Sequence, residues 1–338
     1  MLYPKFIKEN STIGIPAPSD GAYDSFKKNK FEHAALFFKE KGYNLVLSKN
    51  LYNSNKGRSA SAEERGKEIN EMFSDKNIDA IICAAGGDFL EEILPYIDFD
   101  IITKNPKFLM GFSDPTGLIY PITTKYDIAT IYGSNFSPFG AENVHQSELD
   151  ALELLEGKKL EVHSYDNYAG EYPERITGLE SPIYNKAVYW QTLDNKNVNI
   201  KGRILGGVLG VIFELSGTKY DGINEFNERY KDDGIIWFFD NCEQTFDEVI
   251  RMLWKLNELD YFKYAKGVIF GRFGVESSYY QYDIKSCLED SILSKLNIPI
   301  IYDADFSHKE PCIPLINGSI AKVEVKDGKG KINFTLEW

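Results

Sequence analysis

Residues 78–85 read Ile-Asp-Ala-Ile-Ile-Cys-Ala-Ala, apolar throughout except for Asp79, and the run stops at Gly86-Gly87. A strand with one wet face alternates polar and apolar residues. An unbroken run suits a strand covered on both faces, as in a parallel sheet. Such a sheet needs helical crossovers on both sides, and the flanking sequence carries their pattern. Strand-like segments fall at 13–15, 44–47, 108–110 and 128–132. Between them, Phe31, Ala34, Ala35 and Phe38 recur at helical spacing within 24–41, and Gly42 is placed to end that helix. Ser61 and Glu64 fit a capping box that opens a helix to about 73, and 89–96 and 115–125 also read as helical. Repeated βα units predict an N-terminal open parallel sheet flanked by helices, flavodoxin- or Rossmann-like. Ligands bind such sheets beyond the carboxyl ends of the strands. Gly86, Gly87 and Ser113 all lie at such ends and are expected to converge.

The second half changes character. Residues 164–198 are polar, rich in Tyr, Pro, Asn and Gly, and aperiodic; they read as a connection that doubles as a substrate loop. Tyr189 and Trp190 within it are candidates to line a pocket, Trp190 as a substrate contact. Strands at 203–206, 235–239 and 267–271, helices at 207–216, 245–259 and 282–296, and a terminal hairpin around Asp327-Gly328 predict a smaller mixed α+β domain. The expected organisation is an N-terminal domain over 1–163, a linker over 164–198 and a C-terminal domain over 199–338.

Composition narrows the function. Of 338 residues 43% are hydrophobic and 26% charged, and no apolar run nears the roughly 18 residues that cross a bilayer. Charges at Lys5, Lys8 and Glu9 break any secretory signal, so the expected setting is cytoplasmic, with no membrane partner. A net charge of −13 without a basic run argues against nucleic acid as a partner, because such binding rests on Lys and Arg neutralising phosphates. Cys83, Cys242, Cys287 and Cys312 form no C-x-x-C pair, so neither a zinc site nor a disulfide framework is expected, and the serine chemistry read below requires no metal or organic cofactor.

Chemistry concentrates in Gly111-Phe112-Ser113-Asp114, between an apolar strand and a helix. A serine on a sharp strand-to-helix turn exposes its hydroxyl, and free N–H groups behind it face a developing oxyanion. Such a serine needs a base, and the base an orienting acid. Of four histidines, His308 stands out: it follows the strand-like 299–301 and precedes a loop stiffened by Pro311 and Pro314. Asp240 terminates Trp237-Phe238-Phe239, where burial obliges a carboxylate to find a donor.

With these residues in view, the chain resembles the LD-carboxypeptidase family, which includes the microcin C immunity proteins. The likeness runs through 14–19, Ala62-Glu63-Glu64-Arg65, 79–87, 94–98, Asn105-Pro106-Lys107, Gly111-Phe112-Ser113-Asp114, and His308 with Pro311, Pro314-Leu315 and Gly318. It implies a Ser-His-Glu triad in which Ser113 and His308 take their places directly. The acid departs from the pattern: Asp240 stands where the family has glutamate, and Glu243 lies nearby out of register. The resemblance further implies oxyanion donors at the backbone of Gly87 and Asp114, substrate contacts around Gly86 and Asp88, and a homodimer. The reaction it implies is hydrolysis of an amide in a peptide-derived substrate, either a peptidyl or aminoacyl nucleotide, which Gly87-Asp88 and the aromatic linker favour, or an LD-configured muropeptide. The substitution of the acid also admits a catalytically silent homologue that binds a peptide or nucleotide.

Overall fold

The computed structural model describes residues 1–337. In the N-terminal half, β1 (Thr12–Ile15), β2 (Asn44–Leu47), β3 (Ala80–Ile82), β4 (Phe108–Gly111) and β5 (Thr130–Tyr132) pair in parallel, in the order β5-β4-β3-β1-β2. Helices α1 (Ser25–Glu40), α2 (Ala62–Ser74), α3 (Phe99–Lys104) and α4 (Thr116–Tyr126) cross between them, with a 3₁₀ segment at Leu90–Tyr96. Local chemistry explains the starts. The Asp24 side chain accepts from the Lys27 N–H at the head of α1, and Ser61 and Glu64 form both halves of the capping box on α2. Ala80, Ile81 and Ile82 are all fully buried, as a doubly covered strand requires. On α4 every residue from Thr116 to Thr124 is buried, because it lies between the first sheet and the second half of the chain.

After α5 (Gln146–Leu155) the chain builds a second sheet. Its strands are β6 (Glu161–His163), β9 (Gln191–Thr192), β10 (Val198–Val208), β11 (Ile235–Asp240), β12 (Ala265–Gly271), β13 (Ile300–Ala304), β15 (Ile320–Lys326) and β16 (Lys329–Thr335). The order is β6-β16-β15-β10-β11-β12-β13-β9, parallel from β10 to β13 and antiparallel toward both edges. The β15–β16 turn places Asp327 and Gly328 at φ 50° and 76°, the left-handed pair that a tight hairpin prefers.

Two features depart from expectation. The segment expected to be aperiodic contains β7 (Asn167–Glu171) and β8 (Ile183–Ala187), a separate two-stranded antiparallel ribbon. Most of its side chains are exposed, so no apolar alternation marks it in the sequence. The first sheet, in turn, has a sixth strand, β14 (Leu315–Asn317), antiparallel to β5 and drawn from the C-terminal half. The chain therefore leaves the second sheet at β13 and enters the first at β14. His308 sits on the crossing between them.

Candidate active site

Ser113 occupies the turn after β4 at φ 72°, a left-handed conformation that costs energy for any residue with a side chain. Asn135 grips the turn: the Phe112 N–H donates to its Oδ1 at 3.0 Å, and its Nδ2 donates to the Phe112 carbonyl at 2.9 Å. Gly86 faces Ser113 directly, and a Cβ there would lie 2.9 Å from Ser113 Cβ and 3.1 Å from its Oγ. The need for glycine at 86 is thus steric.

Ser113 Oγ lies 2.9 Å from His308 Nε2. On the other side of the ring, Nδ1 lies 2.9 Å from Asp240 Oδ2. The distance suits an ion pair, but the ring N–H is not aligned on that oxygen, and neither Nδ1 nor Asp240 Oδ1 completes a hydrogen bond. Asp240 ends β11 and is fully buried, and the Tyr132 hydroxyl donates to the same Oδ2 at 2.7 Å. Glu243 lines the cleft but does not pair with the ring; among the described residues only Asp240 does. The Phe112 ring lies 4.6 Å from the imidazole, centre to centre, and walls one side of it. Burial of His308 opposes its charge, but the Asp240 carboxylate, joined by the Cys242 side chain, outweighs burial and raises the ring to about 10.

The His308 loop is buttressed from behind. Arg272 donates to the carbonyls of Lys309 (3.1 and 3.2 Å) and Pro311 (3.2 Å) and pairs with Asp305 Oδ1 at 2.5 Å. The ribbon adds a bond from the Ala169 N–H to the Glu310 carbonyl at 2.8 Å. Trp190 belongs to this buttress and not to the cleft, contrary to the substrate contact expected of it. It is 1% exposed, packs on Gly330, and its Nε1 donates to Asp305 Oδ2 at 3.0 Å.

The cleft beside Ser113 encloses ≈140 Å³ and is lined by Gly87, Asp88 and Asp114 on the first-sheet side and by Val208, Gly210, Glu214, Glu243 and Gln244 on the other. Asp88 is exposed at its rim. The backbone N–H groups of Gly87 and Asp114 donate to no protein group among the described residues. The Asp114 carboxyl is buried, which pushes it up to about 6 against the opposing pull of Ser19 and two backbone donors. Its neighbour Glu91 is raised further, to about 8, by burial and by Asp114. Among the described residues no cluster of His, Cys, Asp and Glu is arranged to hold a metal ion.

A strained serine after a parallel strand, a histidine within hydrogen-bond reach and a buried acid behind it meet on a two-sheet α/β frame, an arrangement chemically suited to acyl transfer through serine. The LD-carboxypeptidase N-terminal domain profile matches residues 13–133, and the C-terminal domain profile matches 201–323. The chain belongs to the LD-carboxypeptidase family of peptidases. It is 27% identical over 327 residues to a putative carboxypeptidase of Vibrio cholerae, covering 93% of this chain and 92% of that one. It is 26% identical over 322 residues to the microcin C7 self-immunity protein MccF of Escherichia coli, covering 92% and 89%. Among solved structures it superposes on an MccF-like protein from Bacillus anthracis with a TM-score of 0.84 at 25% identity, over 100% of both chains.

Proposed function

We propose that the protein is a serine-type hydrolase of amide bonds in small peptide-derived substrates. The carrying observation is the hydrogen bond of 2.9 Å between Ser113 Oγ and His308 Nε2, with the Asp240 carboxylate 2.9 Å from the far side of the ring as its charge partner. Ser113 attacks the carbonyl carbon as His308 Nε2 takes its proton. The Gly87 and Asp114 N–H groups receive the oxyanion, and His308 returns the proton to the leaving amine. Water, deprotonated by the same ring, then releases the acyl group from Ser113. Asp240 holds the ring and offsets the charge it gains; Tyr132 holds Asp240.

Of the two substrate classes, the aminoacyl or peptidyl nucleotide is the better supported. A second hollow of ≈480 Å³ begins at Lys309, next to His308, and is lined by Tyr168, Tyr189, Phe246, Phe273 and Tyr282 together with Arg272. Aromatic faces suit a nucleobase; Arg272 and Lys309 are already paired, with Asp305 and Glu276, and Asp283 and Asp303 share the lining. The relative MccF binds aspartyl sulfamoyl adenosine. The test is turnover of an aminoacyl sulfamoyl adenylate and of a muropeptide tetrapeptide by purified protein, followed by mass spectrometry. Faster cleavage of the adenylate is expected; cleavage of the tetrapeptide alone reverses the substrate choice, and cleavage of neither favours a binding role.

A further inference from the structure

The proposed mechanism uses only the backbone N–H of Asp114, yet the Asp114 side chain is tightly engaged beside Ser113. It is 3% exposed, and a single oxygen, Oδ2, accepts from three donors: the Ser19 hydroxyl, the Phe89 N–H at 3.2 Å and the Leu90 N–H at 3.0 Å. Those donors come from two different loops, the exit of β1 and the exit of β3. Asp114 itself belongs to the nucleophile turn. One carboxylate oxygen therefore ties together three segments that sequence separation keeps apart.

Gly87 lies inside the tie. Residues 83–89 adopt neither helix nor strand, and among the described residues no backbone hydrogen bond fixes 85–88. The last backbone anchors before Gly87 are at Ala84, whose N–H donates to the Pro16 carbonyl and whose carbonyl accepts from the Ser137 N–H, and the next is the Phe89 N–H on Asp114. Contact with the β1 exit is close, since a Cβ on Gly87 would lie 2.2 Å from Ser19 Oγ. The arrangement costs free energy to keep, because a buried carboxylate must recover its lost hydration from donors. A fold that needed only packing at this point would be served by an apolar side chain.

Resting on the assignment of Ser113 as nucleophile, we infer that Asp114 is a positioning residue whose carboxylate holds the Gly87 N–H at the oxyanion position by clamping the 86–90 loop and Ser19 to the nucleophile turn. Oxyanion donors accelerate reaction only when they are already in place as charge develops. Loss of the clamp therefore lowers the rate of bond formation and leaves the affinity of the encounter complex alone.

The test uses a fluorophosphonate probe on the full chain, with separate determination of the maximal rate of inactivation and of the probe concentration giving half that rate. Asp114→Asn keeps the shape but offers a neutral oxygen to three donors, and the maximal rate should fall about tenfold or more, with the half-rate concentration within about twofold of wild type. Ser19→Ala removes one donor and should give a smaller fall in the same parameter. The double variant should be no slower than Asp114→Asn alone, because both act through one contact. If Asp114→Asn does not fold, Ser19→Ala decides alone. Unchanged maximal rates in the folded variants, or a loss confined to melting temperature, overturn the clamp while leaving the nucleophile intact. Absence of labelling in the wild type overturns the nucleophile assignment and the clamp with it.

Discussion

Asp240 reaches the imidazole with a side chain one methylene shorter than the glutamate of the family pattern. It does so at 2.9 Å but off the axis of the ring N–H, and it shares the contacting oxygen with Tyr132. The charge of Asp240 therefore matters more here than its hydrogen-bond geometry. Only neutral His308 acts as a base, and Asp240 raises the ring to about 10, so activity should climb with pH well beyond the ordinary histidine range. In Asp240→Asn the largest influence holding the ring charged is gone, burial is opposed only by Cys242, and the pKa falls. The ascending limb should move to lower pH while the plateau rate falls by up to about ten-thousandfold; a limb that stays put would show that Asp240 does not govern the ring. The same shift carries a stability term. Because the folded pKa is raised, the stabilisation is fully present below about pH 6.5 and is lost as pH rises through about 10. Ser113, Asp240 and His308 were legible because each directly follows a recognisable apolar run or sits in a motif. Tyr132 and Asn135 were not. Tyr132 meets an acid 108 positions later, and nothing in a strand-ending tyrosine announces that pairing. Trp190 shows the converse: an aromatic residue in a polar segment reads alike whether it faces a cleft or fills a core.

The His308 loop is the element on which the proposed site depends, since it spans the gap between β13 and β14 and carries the proposed base. Its shape is held by the buried Arg272–Asp305 pair, at 6% and 0% side-chain exposure. Removing one member strands a charge. Arg272→Met should cost about 3–5 kcal/mol in urea unfolding and slow Ser113 acylation as the loop loosens. A loss below about 1 kcal/mol with normal acylation would mean that the loop is held by other contacts. The helices and parallel strands of the first half were legible because period and capping are local signals. β14 was not, for it is three residues long and its partner, β5, lies almost two hundred positions away. The β7–β8 ribbon escaped notice because exposed strands carry no apolar alternation, although it braces the His308 loop through Ala169.

Across the molecule, Ser113 comes from one sheet and Asp240 from the other, and His308 comes from the strand crossing that joins them. Packing of the two sheets is therefore part of the geometry on which the proposed mechanism rests. The net charge of −13 reaches into the cleft, whose lining holds Asp88, Asp114, Glu214 and Glu243 and no Lys or Arg. Glu214 is raised by burial and by Glu243, a mark of like charges left close together. An anionic substrate meets repulsion on that side, and salt screens repulsion over about 8–10 Å at physiological strength. For such a substrate, kcat/KM should rise as salt is increased from low concentration; a fall would indicate that the cations of the Lys309 hollow dominate its approach. Activation of Ser113 as a nucleophile by His308 can be read by mass spectrometry of the intact and digested protein after exposure to a fluorophosphonate. A single adduct on the peptide containing Ser113, absent in Ser113→Ala and slowed at least about a thousandfold in His308→Ala, is the predicted result. An unlabelled wild type, or an adduct that persists in Ser113→Ala, would contradict it.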